Sequence, residues 1–156
     1  IIYSEWRNVI WNVEDEEDYK AGIISEVAIT DQFIENGGIV LMYLRFIDTE
    51  NDVTFVTSLP LIDEGLSFNF LFGDFGVDGL DETGVERGIA YILTSLSGDE
   101  ISFAYQDEGE DDYDIRYILI EPAAMQNPAG RLAALRADDL KNMTYNEVAA
   151  LYNIPD

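Results

Sequence analysis

The longest apolar segment of the chain follows the turn signal Asn36-Gly37-Gly38 and extends over residues 39–46. Hydrophobic side chains occupy both its odd and its even positions, which point to opposite faces of an extended strand. A strand that is apolar on both faces is covered on both sides. The pattern therefore predicts a central strand of a sheet, lying beneath a second layer.

Alternation of apolar and polar residues, the period of a half-buried strand, recurs along the chain as far as Pro122. Polar or acidic turns separate these segments, including an acidic turn over residues 14–18 and a glycine-rich loop or broken hairpin over residues 73–88. In the second strand, we expect Ile23, Val27 and Ile29 to point inward. The predicted strands cover residues 3–13, 19–29, 39–46, 53–59, 66–72, 89–96, 101–106 and 113–119.

Helical signals are short and lie mainly after Pro122. Thr144-x-x-Glu147 is a capping box that predicts a helix up to Pro155. Residues 123–137 are rich in alanine, but proline and glycine interrupt them, so helix is predicted only after Gly130. A single helical turn between Thr30 and Gly37 is also predicted, with the threonine as its cap.

These elements predict a mainly β fold, an antiparallel β-sandwich of about eight strands with a short C-terminal helical appendage. An open barrel is the alternative that the same spacing allows. We expect residues 1–122 to form the β-sandwich and residues 123–156 to be a helical segment packed on the same domain. No repeat or linker divides the chain.

The charge excludes several functions. The chain has 32 acidic and 8 basic side chains, for a formal net charge of -24. Nucleic acids and anionic membrane surfaces would be repelled by such a surface. A protein adapted to high salt and a secreted acidic protein in an ordinary medium both fit this composition. No segment is long and apolar enough for a transmembrane helix.

The residue inventory argues against catalysis. The chain has no cysteine and no histidine, which excludes disulfides, thiolate nucleophiles, zinc sites built on those residues and a Ser-His-acid triad. It contains no nucleophile-elbow, phosphate-binding or dinucleotide-binding motif. We therefore predict that the protein is not an enzyme, with no catalytic residue and no cofactor other than a possible calcium ion.

Three motifs resemble a group of secreted or lipid-anchored β-sandwich proteins from Bacteroidota. Residues 36–45, Asn-Gly-Gly-Ile-Val-Leu-Met-Tyr-Leu-Arg, are similar to the "nG-x-V-l-v-Y-l-r" strand of that group. Leu59-Pro60 resembles its "L-P-Y" strand end, and residues 115–120, Ile-Arg-Tyr-Ile-Leu-Ile, resemble its "f-R-Y-V-I-I-P" strand. In such proteins the domain sometimes follows collagen-like repeats. The resemblance implies a surface component without enzymatic activity.

An acidic cluster gives a candidate calcium site. Asp107, Glu108, Asp111 and Asp112 lie within six residues, and calcium prefers several hard oxygen ligands. The spacing does not match a calcium-binding loop of the EF-hand type. In a chain this acidic, a solvated acidic turn is the competing interpretation.

Aromatic residues near the N-terminus give a second candidate. Trp6, Trp11, Tyr3 and Tyr19 could form a platform on which a sugar ring stacks. The competing interpretation is that they fill the core or close an open end of the sandwich, as aromatic residues do in small β domains.

The chain begins with Ile1-Ile2-Tyr3, which is apolar where a free end is usually polar. One hypothesis is that these residues begin the first strand of their own domain. The other is that they add a strand to the open edge of a neighbouring copy, so that an open-ended assembly grows. Because the first residue is not methionine, we expect a processed chain or a fragment.

Together these observations predict a non-catalytic extracellular structural or assembly module of the cell surface. We expect its partners to be copies of itself, in an oligomer or a filament, with no nucleic acid and no identified small-molecule ligand. The alternative is a calcium-dependent module that binds a ligand such as a carbohydrate.

Overall fold

In the computed structural model, which describes residues 1–16, 18–106, 111–126 and 136–156, the protein is mainly β, as predicted. The described strands are β1 (Ile2–Tyr3), β2 (Arg7–Asn8), β3 (Val13–Glu16), β4 (Tyr19–Ser25), β5 (Ile39–Asp48), β6 (Val53–Ser58), β7 (Leu61–Asp63), β8 (Leu66–Asp74), β9 (Arg87–Ser95) and β10 (Asp111–Ile120). The described α-helices are α1 (Asp31–Glu35), α2 (Pro122–Gln126), α3 (Ala137–Lys141) and α4 (Tyr145–Tyr152). A 3-10 helix covers Leu80–Glu82.

The strands form two antiparallel sheets, each of five strands. The first has the order β1–β10–β5–β6, with β2 paired to β10 on the same side as β1. The second has the order β3–β4–β9–β8–β7. β5 pairs with β10 along its full length, from Ile39 opposite Ile120 to Asp48 opposite Asp111. The prediction that this strand is central is confirmed.

The main core lies between the two sheets. The even positions of β5, Val40, Met42 and Leu44, are buried there against Phe68 of β8 and Leu93 of β9. The inner face of β10 contributes alternate residues to the same core, as the sequence pattern predicts. These residues are Tyr113, Ile115, Tyr117 and Leu119.

A second core lies on the outer face of the first sheet. The odd positions of β5, including Leu41 and Tyr43, are buried with Ile118 of β10 beneath Leu140 of α3 and Val148 of α4. The helices therefore cover the outer face of β5, which explains why this strand is apolar on both faces. None of the helices in the described ranges has the length and hydrophobicity that a membrane span requires.

Both capping predictions are confirmed. The Thr144 hydroxyl accepts a hydrogen bond from the Glu147 N–H, and the Glu147 carboxylate accepts one from the Thr144 N–H. The Thr30 hydroxyl accepts from the Phe33 N–H at the start of α1. α4 ends at Tyr152 because Asn153 adopts a left-handed conformation, with φ of 56°.

Several predicted strands differ from the structure. The predicted first strand is two short strands, β1 and β2, separated by Ser4–Trp6. The predicted acidic turn begins later than expected, because residues 13–16 pair with β4. Val27 is 79% exposed rather than inward, because β4 ends at Ser25, whereas Ile29 is buried.

Two predictions near the ends of strands are also wrong. Residues 101–106 do not form a strand, although Tyr105 is buried and Phe103 packs beside it against the core. Their alternating aromatic residues instead fill one end of the space between the sheets. A helix also precedes Gly130, since α2 begins at Pro122. Proline is tolerated at the first position of a helix, where its missing N–H would have no partner within the helix.

Residues 73–88 form a hairpin between β8 and β9, with a loop over residues 75–86.

Burial of tyrosine hydroxyl groups predicts a late phase of alkaline titration. Burial raises the pKa of Tyr43, Tyr91, Tyr105 and Tyr117, to about 12 for Tyr105. For Tyr117, a hydrogen bond to the Glu26 carboxylate adds to the effect of burial.

Because these folded-state pKa values lie above those of the unfolded chain, the stability they contribute is complete below about pH 10. It is lost as pH rises through the folded values. Tyrosinate absorbance should therefore show a delayed group that titrates together with loss of circular dichroism. A single phase near the ordinary tyrosine pKa in the folded protein would contradict this prediction.

Candidate functional site

The N-terminal residues form the outermost strand of their own sheet. Ile2 pairs with Leu119 and Tyr3 with Ile118, so β1 has only two register pairs. Ile1, Ile2 and Tyr3 are 41, 40 and 38% exposed. In the structure, these residues therefore belong to the first strand of their own domain, which is the first of the two hypotheses. Their addition to a neighbouring copy stays a prediction.

Ser4, directly after β1, is held much more firmly. Its N–H donates to the Tyr117 carbonyl at 3.0 Å, and its hydroxyl accepts from the Tyr117 N–H at 3.1 Å. Its carbonyl accepts from Arg116 Nε at 2.7 Å. Ser4 is thus buried and makes three hydrogen bonds. The apolar segment ahead of it has two register pairs with β10 and one ring contact, in which the Arg116 guanidinium lies 5.2 Å from the centroid of the Tyr3 ring.

Arg116 joins both ends of the chain. It is 1% exposed, and its Nη1 donates to the Tyr145 hydroxyl at 2.6 Å and to the Pro155 carbonyl at 2.7 Å. With the Ser4 carbonyl, its hydrogen-bond partners among the described residues are three neutral oxygens, and its buried Nη2 has no partner among them. A buried cation stabilised in this way connects β1, α4 and the C-terminal residues through one side chain. An arginine within an apolar strand is visible in the sequence and could have indicated a buried polar contact. The alternation of apolar residues alone did not predict this role.

The four aromatic residues of the candidate platform do not come together, because Trp11 belongs to the main core and Trp6 packs against the second core. Trp6 is covered by Arg45, whose guanidinium lies 4.4 Å from the ring centroid, and by Tyr145 at 5.3 Å between centroids. Arg45 in turn pairs with the buried Asp114 carboxylate at 2.7 Å. Trp11 lies in the main core and donates from Nε1 to the Ala104 carbonyl. Trp11 therefore has the packing role of the competing interpretation.

The two sheets share an incomplete corner. β6 pairs with β5 only from Tyr43 onward, and β7 pairs with β8 only as far as Phe68. One edge of Ile39–Leu41 and one edge of residues 69–74 therefore have no strand beside them in the described part of the chain. Between these edges lies a depression of about 670 Å³, here called the corner groove, lined by residues 37–43, 58–60 and 69–72 and by Lys141.

The corner groove differs from the rest of the surface in charge. None of the described residues that line it is acidic, and Lys141 is the one charged residue among these. Most of its lining is apolar side chain and strand backbone. In a chain with a net charge of -24, such a region can contact another copy without repulsion between carboxylates.

Only part of the candidate calcium site can be placed. Asp107 and Glu108 lie outside the described residues. Asp111 and Asp112 begin β10, opposite Asp48 and Ile47 of β5. Within the described ranges, no group of three or more acidic side chains is arranged to hold a metal ion. The calcium site therefore stays a prediction.

The geometry thus combines an apolar edge strand with two register pairs, a fixed point at Ser4 and Arg116, and a groove without acidic residues in its described lining. The resemblance to surface proteins of Bacteroidota rests on sequence motifs alone. No family model matches the chain, and neither a curated protein nor a solved structure matches it.

Proposed function

We propose that this protein is a non-catalytic structural module of the cell surface that associates with copies of itself. The observation that carries the proposal is the state of β1, an apolar edge strand with two register pairs and side chains about 40% exposed. Exposed apolar edge strands readily pair with another chain unless the protein protects them.

Charge supports the same proposal. Two copies that each carry a net charge of -24 repel one another, and salt screens that repulsion. Contact between copies must therefore use surfaces without carboxylates. Residues 1–4 contain no charged side chain, so they meet this requirement at the edge of the sheet. The extracellular location is the part of the proposal that rests on the family resemblance.

Deleting Ile1–Tyr3 tests this function. The deletion keeps Ser4, because loss of its bonds to Arg116 and Tyr117 would disturb the fold itself. We expect the full chain to form larger species as concentration and salt increase, and the shortened chain to stay monomeric. Size-exclusion chromatography with light scattering measures both, and electron microscopy shows whether the species are filaments.

A matched control removes an exposed apolar side chain elsewhere. Val77, in the loop between β8 and β9, is 83% exposed, and Val77→Ser should leave association unchanged. If the full chain stays monomeric at every salt concentration, the proposed function is wrong. If the shortened chain assembles as the full chain does, the N-terminal residues are not the contact.

A further inference from the structure

We infer that the corner groove receives Ile1–Tyr3 of a second copy as an added strand, which deepens the proposed function and rests on it. The inference begins with the backbone of Val40. The Met42 carbonyl points toward the corner, since it accepts from the Leu59 N–H at 2.8 Å. Residues two apart in a strand direct their peptide groups to the same side, so the Val40 N–H and C=O point there too.

Val40 has no strand beside it on that side. β6 reaches only as far as Ser58, opposite Tyr43, and no hydrogen bond to Val40 from a loop of the described ranges is present. Val40 is 3% exposed and is one of the residues that line the corner groove. Among the described residues its peptide group has no hydrogen-bond partner on this side, and an added strand would supply one.

The N-terminal segment fits this site in length and chemistry. Ile39–Leu41 and Ile1–Tyr3 each contain three residues, about 10 Å of extended chain. The isoleucines would cover apolar side chains, such as Phe70 and Phe72, that the incomplete corner leaves partly exposed. The side chains of the segment bring no carboxylate to a groove in which Lys141 is the one charged residue of the described lining. An open sheet edge recognises an added strand through main-chain hydrogen bonds and through apolar contacts of alternate side chains.

In the inferred contact the donated segment leaves its own sheet. Ile1–Tyr3 leave their place beside β10 and pair with Ile39–Leu41 of the next copy, where β6 is absent. Ser4 stays bound to Arg116 in its own copy. Each copy then gives a strand at one edge and receives one at another, which is a heterologous contact that builds a closed ring or an open filament.

Hydrogen exchange at the Val40 amide tests the site directly. In the protein lacking Ile1–Tyr3, we expect this amide to exchange freely. An added peptide with the sequence Ile-Ile-Tyr-Ser should slow its exchange by about tenfold or more. If the Val40 amide is already protected in the shortened monomer, another part of the same chain covers the groove. That result would overturn the inference, as would no change on adding the peptide.

A pair of charge variants separates this inference from the proposed function. Leu71 lines the corner groove and is 41% exposed, whereas Ile62 on β7 is 70% exposed and lies outside the lining. Leu71→Asp should weaken association of the full chain by about tenfold or more, because a carboxylate would be buried in the contact. Ile62→Asp adds the same charge and should change it little.

The outcomes distinguish the two ideas. If both variants associate equally well, the groove is not the contact, although the proposed self-association stands. If the unmodified chain does not associate, both ideas fail. If β1 is exchanged onto β10 of the neighbour instead, the Ile-Ile-Tyr-Ser peptide will protect the amide of Leu119 rather than that of Val40, and the inference is wrong.

Discussion

Replacing Arg116 with alanine should lower the free energy of unfolding by about 3 to 4 kcal/mol, one of the two largest losses expected for a single substitution in this chain. The substitution leaves the carbonyls of Ser4 and Pro155 and the hydroxyl of Tyr145 without their donor. It also opens a cavity at a position that is 1% exposed. Urea denaturation followed by circular dichroism measures the loss.

Two controls separate charge from packing. Arg7→Ala makes the same change in net charge at an exposed position on the neighbouring strand and should cost no more than about 0.5 kcal/mol. Arg116→Met keeps much of the side-chain volume but cannot donate, so its loss isolates the hydrogen bonds. A loss below about 1 kcal/mol for Arg116→Ala would mean that the chain ends do not depend on this side chain for stability.

Replacing Gly88 with alanine should destabilise the protein by about 3 kcal/mol or more. Gly88 lies on β9 opposite Ser25 of β4, and an added Cβ would lie 1.8 Å from the Ile24 carbonyl oxygen. The obstructing atom belongs to the backbone of a neighbouring strand, so no side-chain rotation can relieve the clash. The two strands would have to separate, and thermal and urea unfolding would both record the loss.

Gly98→Ala is the matched control for this substitution. Gly98 has a φ of 80°, and no atom lies within 4 Å of an added Cβ, so alanine there meets strain in the backbone but no clash. We expect a cost of about 1 to 2 kcal/mol. Equal losses at the two positions would show that contact with Ile24 is not the reason for glycine at position 88.

The parts of the fold that the sequence predicted are those specified by local patterns. β5 was recognisable because its own residues are apolar on both faces, and α4 because Thr144 and Glu147 carry the full capping signal. Residues 101–106 have the same alternation as a strand. Tyr105, however, has a φ of 50°, which breaks the extended backbone, and its ring fills a gap between the sheets. Alternation of apolar and polar residues indicates which side chains are buried. A side chain can be buried without its segment being paired to another strand.

The candidate site was less predictable because it depends on which strand edges remain open. The sequence marked Ile1–Tyr3 as unusual, but it could not show that β6 begins to pair with β5 only at Tyr43 or that β7 stops at Phe68. Those limits arise from the path of the chain between the sheets at Leu59–Pro60. Likewise, the role of Arg116 could not be predicted, because its partners Ser4 and Pro155 are far apart in the sequence and come together only in the fold.

That meeting of the two ends has a mechanical consequence. Ser4 and Pro155 both accept hydrogen bonds from one guanidinium group, so they lie within a few ångströms of each other across a single side chain. A pulling force applied to the chain at these two residues would act first on the bonds of Arg116. It would reach the long ladder between β5 and β10 only after those bonds had broken.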